Sequence, residues 1–359
     1  MHHATKHTRA PPAWPGLRRR SGLDTLSVGT EGQGMMRIAV LDDWQGIAAA
    51  SADWAAVRAK ADLVFLREHL GAPEQVVAAL ADFDAVVAMR ERTRLHADVI
   101  TRLPKLKLLS FTGARNAAVD IAACTAQGIV VCNTTTTRSS HGTAELTLGL
   151  ILAAQRHIAA GDTEMRAGRF QGNVPPGIEI AGSTLGLVGL GTIGSRVAGY
   201  ARAMDMKVIA WSQNLTAARA EAVGATRVEK AELFARADVI SVHLVLSERT
   251  RHIVGAAEIA AMRPGALLVN TSRGPHVDTD ALLVALEAGR IRAAIDVYDQ
   301  EPLPADHPLR RAPGTLLTPH LGYVTAENMP ELYRSSAENL VAWLGGAPVR
   351  VVNPEVRAR

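Results

Sequence analysis

Three segments in the second half of the chain carry side chains capable of acid–base and anion-binding chemistry. NTSRG holds Arg273, AAIDVYDQEPLP holds Asp296 and Glu301, and LLTPHLG holds His320. An imidazole titrates near neutrality, so His320 can take a proton from a hydroxyl or return one to a carbonyl oxygen. A carboxylate on its other ring nitrogen, the place expected for Glu301, fixes the tautomer and stabilises the imidazolium. Arg273 offers a permanently charged fork that matches a carboxylate and can meet developing charge on oxygen. Singly, each is an ordinary residue: a loop histidine, a helix-capping arginine, a turn acid before proline. Together they suit proton transfer at a hydroxyl or carbonyl that stands next to a carboxylate.

A fourth segment supplies a partner for that chemistry. In GLVGLGTIG, Gly189, Gly191 and Gly194 form a GxGxxG turn around Thr192 and Ile193. A dinucleotide-binding turn needs its first glycine for the bend, its second so that backbone approaches the pyrophosphate, and its third to pack helix on strand. The helix N-terminus then faces the phosphates. The next strand runs Lys207 to Trp211 and leads into Ser212 and Gln213, where a carboxylate would bind the ribose 2′-hydroxyl and repel a 2′-phosphate. No carboxylate is there, so the reading leans to NAD and leaves NADP open. Thr271 and Asp296 complete the expected cofactor-binding set together with His320.

These segments need elements to bring them together, and the hydrophobic pattern provides them. From Met36 onward, apolar runs of four to seven residues alternate with helical stretches, as in parallel sheets wrapped by helices. Strands are expected at 37–41, 62–66, 85–89, 107–111 and 129–132, and again at 184–188, 207–211, 239–244, 266–270, 292–297 and 315–318. The first block reads as a flavodoxin-like domain and the second as a doubly wound dinucleotide-binding domain of six strands. A long apolar helix is expected from Gly142 to Ala159, followed by a loop to Gly182. A C-terminal helix from Thr325 to Leu344, with Leu332, Ala337, Leu340 and Val341 on one face and Gly345 as its stop, should return the chain to the first domain. The expected division is 1–35 as a disordered leader, 36–136 with 324–359 as the substrate domain, and 137–323 as an inserted Rossmann domain, with hinges near 133–140 and 321–326. Arg273, Glu301 and His320 each follow a strand's carboxyl end, the edge where ligands collect in such sheets.

Composition narrows the class further. The chain has 359 residues, 48% hydrophobic but only 4% aromatic, with no apolar run long enough to span a bilayer. Of the net charge of +4, most sits in residues 1–35, where Lys6, Arg9, Arg18, Arg19 and Arg20 face only Asp24 and Glu31. The remainder is near neutral, which argues against a nucleic-acid or membrane partner. Cys124 and Cys132 form neither a disulfide framework nor a metal site, so no metal and a reducing cytoplasm are expected.

GLGTIG, NTSRG, DVYDQEP and TPHLG, in this order and spacing, resemble the D-isomer-specific 2-hydroxyacid dehydrogenases over nearly the whole span from Met36 to Asn353. The resemblance implies hydride transfer between a nicotinamide cofactor and a small D-2-hydroxy or 2-keto acid, with Arg273, Glu301 and His320 in the roles above. It implies that Asp296 sits near the nicotinamide carboxamide, and that 142–182 forms a two-fold dimer, so a homodimer is expected. It also points to Arg90, Gly113 and Ala114 as substrate-binding positions, the glycines and their neighbours binding through backbone N–H groups. The sequence departs from the family at Ala114, Arg115 and Asn116, at the threonine run 134–137, which could instead cap the following helix, and at Tyr323. Two alternatives share the fold: an NAD-sensing corepressor-like binding protein, and a formate- or phosphite-type dehydrogenase. Glu301 argues against the formate type, where a glutamine is expected. No regulatory domain of the phosphoglycerate dehydrogenase kind is expected after Asn353.

Overall fold

The computed structural model describes residues 35–136 and 138–356. The expected disorder of the leader and the role of Thr137 lie outside the described residues. From Met36 onward the described residues form one compact unit.

The unit is built on two sheets whose strand pairs are all parallel. The first contains β1 (Met36–Val40), β2 (Ala61–Phe65), β3 (Ala85–Ala88), β4 (Leu108–Phe111) and β5 (Val130–Asn133), in the order β2-β1-β3-β4-β5. The second contains β6 (Thr184–Val188), β7 (Lys207–Trp211), β8 (Thr226–Arg227), β9 (Val239–Val242), β10 (Leu267–Asn270), β11 (Arg292–Ile295) and β12 (Thr315–Leu317), in the order β12-β11-β10-β9-β6-β7-β8. Central strands such as β3, β9 and β10 are buried at every residue. Burial on both faces explains why they read as continuous aliphatic runs. Strand order reverses between β1 and β3 in one sheet and between β6 and β9 in the other. Crevices open beyond the strand ends at such reversals.

Differences from the sequence reading are local. The second sheet has a seventh strand, β8, whose two residues are exposed and too few to leave a hydrophobic pattern. The expected helix 142–159 is two helices, Ser139–Gln155 and Ile158–Arg166, separated at His157, which adopts φ 52°. A left-handed residue cannot continue a right-handed helix. The following loop therefore starts after Arg166 rather than at Gly161. Lacking any Pro or Gly at the break, the sequence gives no signal for it.

The C-terminal helix runs Asn328–Leu344. Its Leu332, Tyr333, Ala337 and Leu340 pack with Ile38, Val40 and Val87 of the first sheet. Val341, placed on that face by the sequence reading, is 41% exposed. The buried stripe follows 332, 333, 336, 337 and 340, and position 341 lies about 100° around the helix from 340. Beyond the helix, Val351 bridges Cys132 and the Asn353 carboxamide accepts the Val131 N–H at 2.8 Å.

Candidate active site

Each expected residue is set by the turn that carries it. After β10, the Asn270 side chain donates to the Arg273 carbonyl at 2.9 Å and accepts from the Ser272 N–H at 3.1 Å, which closes the turn under Arg273. Gly274 is needed next, because a Cβ there would stand 2.0 Å from the Tyr298 backbone. NTSRG and DVYDQEP are thereby packed backbone to backbone.

Asp296, at the end of β11, organises the histidine loop. It is fully buried. One carboxylate oxygen accepts from the Thr318 hydroxyl at 2.6 Å and the Leu321 N–H at 2.7 Å, the other from the Gly322 N–H at 3.0 Å. The His320 N–H donates to the Asp296 carbonyl at 2.8 Å, and His320 adopts φ 54°. Burial raises the Asp296 carboxyl above its ordinary range even though these donors and His320 oppose the shift. Both oxygens are thus committed to the loop 318–322, a positioning role alongside the cofactor contact that the resemblance implies.

Glu301 and His320 are brought together. His320 Nδ1 lies 2.6 Å from Glu301 Oε2, while Glu301 Oε1 accepts the Tyr298 N–H at 2.9 Å. Their side chains are only 10% and 17% exposed. With Nδ1 committed to a carboxylate, the proton belongs there in the neutral ring and Nε2 is left as the basic nitrogen. The Tyr323 ring packs edge-on to the imidazole at 5.4 Å. Beside the pair lies a cavity of about 270 Å³ lined by Trp44, Tyr298, Pro302, Leu303, Arg310 and Pro319, among others.

Arg273 is joined to this region through Glu91, which also feels the His320 charge, and it is not free. Its Nη1 donates to the Ser272 carbonyl at 2.7 Å and its Nη2 to Glu91 Oε1 at 2.8 Å. Burial pushes the Glu91 carboxyl up, yet the Arg273 and Arg90 cations, with a smaller contribution from His320, outweigh it and hold the group below its usual range. Glu91 therefore lies among Arg273, Arg90 and His320, a residue the sequence reading passed over. An acid set between two arginines at a strand's carboxyl end was the available signal. Trp44, after β1, was missed too; it stacks under Arg92 at 4.2 Å and reaches the cavity beside His320.

The substrate loops of the first sheet are more self-contained than expected. Arg90 adopts φ 52°, donates its N–H to the Thr112 hydroxyl at 2.9 Å, and lays its guanidinium so close over Gly113 that a Cβ there would be 2.2 Å from it. The Gly113 N–H is already taken by Thr134 Oγ1 at 2.9 Å. Ala114 and Arg115 are exposed. Thr136 does not cap the helix at Ser139; its hydroxyl reaches Asn328 Oδ1 at 2.7 Å and Glu331 Oε2 at 3.0 Å.

The glycine turn fits a dinucleotide on backbone geometry alone. Gly189 has φ 104° and its missing Cβ would lie 2.5 Å from the His243 carbonyl; a Cβ on Gly194 would lie 2.3 Å from the Gly189 carbonyl. At Gly191 a Cβ would meet nothing within 4 Å, so this residue faces an open groove just before Thr192 and Ile193 begin the helix Thr192–Ala203. Ser212 and Gln213 follow β7 on the rim, the first half-buried and the second exposed. Thr271 is buried, its hydroxyl 2.8 Å from that of Thr147. Two other histidines, His243 and His276, are pushed by burial to about 4 and stay neutral at ordinary pH.

Residues 148–322 match a family model described as D-isomer specific 2-hydroxyacid dehydrogenase, NAD binding domain. The chain is 39% identical over 256 residues to a D-3-phosphoglycerate dehydrogenase of Methanocaldococcus jannaschii, covering 71% of this chain and 48% of that protein. It is 37% identical over 272 residues to a glyoxylate reductase of Aeropyrum pernix, covering 73% of this chain and 81% of that protein. A crystal structure titled as a putative D-3-phosphoglycerate dehydrogenase oxidoreductase from Ralstonia solanacearum superposes with a TM-score of 0.83 at 37% identity, over 90% of this chain and 98% of that one. The chain spans about half the length of the curated D-3-phosphoglycerate dehydrogenases it matches.

Proposed function

Because this chain belongs to the D-isomer-specific 2-hydroxyacid dehydrogenase family, with the family's NAD-binding domain at 148–322, we propose that it interconverts a small D-2-hydroxy acid and its 2-keto acid. When bound on the Gly189–Gly194 turn, NAD supplies the hydride acceptor or donor. The protein's own groups do the rest. His320 Nε2 takes the hydroxyl proton during oxidation, or delivers one to the carbonyl oxygen during reduction. Glu301 stabilises the imidazolium that forms and keeps the ring from turning. Arg273 meets the substrate carboxylate and the charge that builds on the reacting oxygen. Asp296 holds the turn that aims the ring.

The 2.6 Å contact between His320 Nδ1 and Glu301 carries this reading, because it makes an ordinary loop histidine an oriented base. The test is turnover of glyoxylate, pyruvate, hydroxypyruvate and longer 2-keto acids with NADH and with NADPH. Oxidation of NADH by at least one of them is expected, and a large preference for NADPH would overturn the lean to NAD. Cofactor binding with no turnover on any would favour a binding protein of this fold.

We further propose a homodimer through the arm 142–182. Ile158, Met165, Phe170 and Ile178 in that arm are between 48% and 73% exposed, an apolar surface that a second copy would cover. Sedimentation at micromolar concentration should give a dimer, and a monomer would contradict it. No helix among the described residues is long and apolar enough to cross a membrane. The two cysteines are free and buried, with thiols pushed up to about 12 and about 11 by burial, and the cytoplasm is our proposed compartment.

A further inference from the structure

Arg273, the expected clamp for a substrate carboxylate, already holds a carboxylate. Glu91 reaches across from the loop after β3 and accepts its Nη2 at 2.8 Å. The other Glu91 oxygen accepts no hydrogen bond among the described residues and stands 4.0 Å from Arg90 Nε, itself buried without a hydrogen-bond partner. Two guanidiniums thus share one acid. Arg92 is engaged elsewhere, stacked on Trp44 at 4.2 Å and on Tyr323 at 5.4 Å, with its charge facing Asp42.

The balance around Glu91 limits what can bind. Arg90 and Arg273 against Glu91 leave one net positive charge, which matches a single carboxylate. A second anionic group brought into the same half-buried space would face the Glu91 charge, with Arg92 turned to Asp42, and Arg310, which lines the cavity beside His320, turned to the Leu303 and Pro304 carbonyls. Repulsion from a fixed charge scales with the charge it acts on, and it is weakly screened where water is scarce.

We propose that Glu91 selects substrate by charge, admitting 2-keto and 2-hydroxy acids with one anionic group and disfavouring those with a second carboxylate or a phosphate. This rests on the reaction class proposed above. The Glu91 charge also acts on His320, but that effect falls on singly and multiply charged substrates alike, so the ratio between them isolates the filter.

The experiment uses the full chain with NADH. Pyruvate and hydroxypyruvate carry one anionic group; oxaloacetate and 3-phosphohydroxypyruvate carry more. Glu91→Gln keeps the shape and an acceptor for Arg273 but removes the charge. If each ligand charge gains about tenfold from that removal, the ratio of kcat/KM for the multiply charged acids to that for the singly charged ones should rise at least about tenfold. Glu91→Asp, which keeps the charge, should hold the wild-type ratio. A ratio that moves less than about twofold in Glu91→Gln, or that rises equally in Glu91→Asp, overturns the proposal. Should wild type turn over neither these acids nor glyoxylate nor longer 2-keto acids, the reaction class falls and the charge filter is read by titrating the NADH-loaded protein with malonate and with acetate. The malonate-to-acetate affinity ratio should then rise by the same factor in Glu91→Gln, and an unchanged ratio overturns the filter independently.

Discussion

The turn at Gly189–Gly194 and the cluster around Arg90–Thr93, the two halves of the proposed site, are built by opposite means. At the turn, recognition is backbone: a left-handed glycine against the His243 carbonyl, a glycine packed on another's carbonyl, and an open position facing the groove. No side-chain charge is involved. In the cluster, recognition is charge: Arg90, Glu91, Arg92 and Asp42 crowd around Tyr323 and Trp44, and several of their polar atoms have no hydrogen-bond partner among the described residues. Backbone geometry of the first kind permits few sequences and takes one common ligand. A balance of charges can be reset by one substitution, so the second kind suits a part that sets which substrate is taken.

His320→Ala should separate the chemistry from both halves with the largest effect. Turnover is expected to fall at least about a hundredfold, the scale of general acid–base catalysis, while NADH affinity measured by fluorescence titration stays within about twofold. A parallel loss of cofactor affinity would mean that the histidine serves the cofactor half rather than the reaction.

Gly194→Val attacks the backbone half. Its Cβ would stand 2.3 Å from the Gly189 carbonyl, and backbone cannot retreat as a side-chain end can. NADH affinity should weaken at least about tenfold, or about 1.4 kcal/mol, while the preference among keto acids is kept. Unchanged NADH binding would show that the packing at this turn does not shape the site.

Asp42→Asn probes the charge half through stability. Burial raises the Asp42 carboxyl to about 6 against an ordinary value of 3.8. The folded state therefore binds this proton more tightly than the unfolded one. Its contribution to stability is most favourable below about 4, is lost as pH rises towards 6, and leaves the full cost above that. Asparagine removes the cost, so Asp42→Asn minus wild type should grow from near zero at low pH to a gain on the order of 3 kcal/mol at pH 7, by denaturant titration. A difference that does not vary with pH contradicts the assignment.

Tyr323→Phe is the mildest change. The hydroxyl is buried without a hydrogen-bond partner among the described residues, and burial pushes it up to about 12. Deleting an unpaired buried hydroxyl should leave stability unchanged or raise it by up to about 1 kcal/mol. A clear loss in thermal melting would reveal a partner for it in solution.

The contrast between the two halves also explains what could be read from the chain alone. Gly189, Gly191 and Gly194 announce themselves because their spacing is the geometry. Arg273, Glu301 and His320 were legible because each follows a strand whose aliphatic run is plain, and parallel topology sends such residues to one edge. Asp296 was found, but its hold on the 318–322 loop was not, since its partners are two backbone N–H groups and one hydroxyl in another segment. Glu91, Trp44 and Asp42 escaped because their meaning comes from cations and rings brought close by folding. β8 and the break at His157 are set by two-residue and one-residue conformations, below the length at which a periodic pattern exists.

If Arg273, Glu301 and His320 act on one reacting carbon, a crystal structure of the protein with NADH and oxamate, an unreactive stand-in for a 2-keto acid, should show all three around it. Oxamate is expected on Arg273 through its carboxylate, with its carbonyl oxygen about 3 Å from His320 Nε2 and Glu301 still on Nδ1. Oxamate bound away from Arg273, or an imidazole lying beyond about 5 Å from that oxygen, too far for proton transfer, would contradict it.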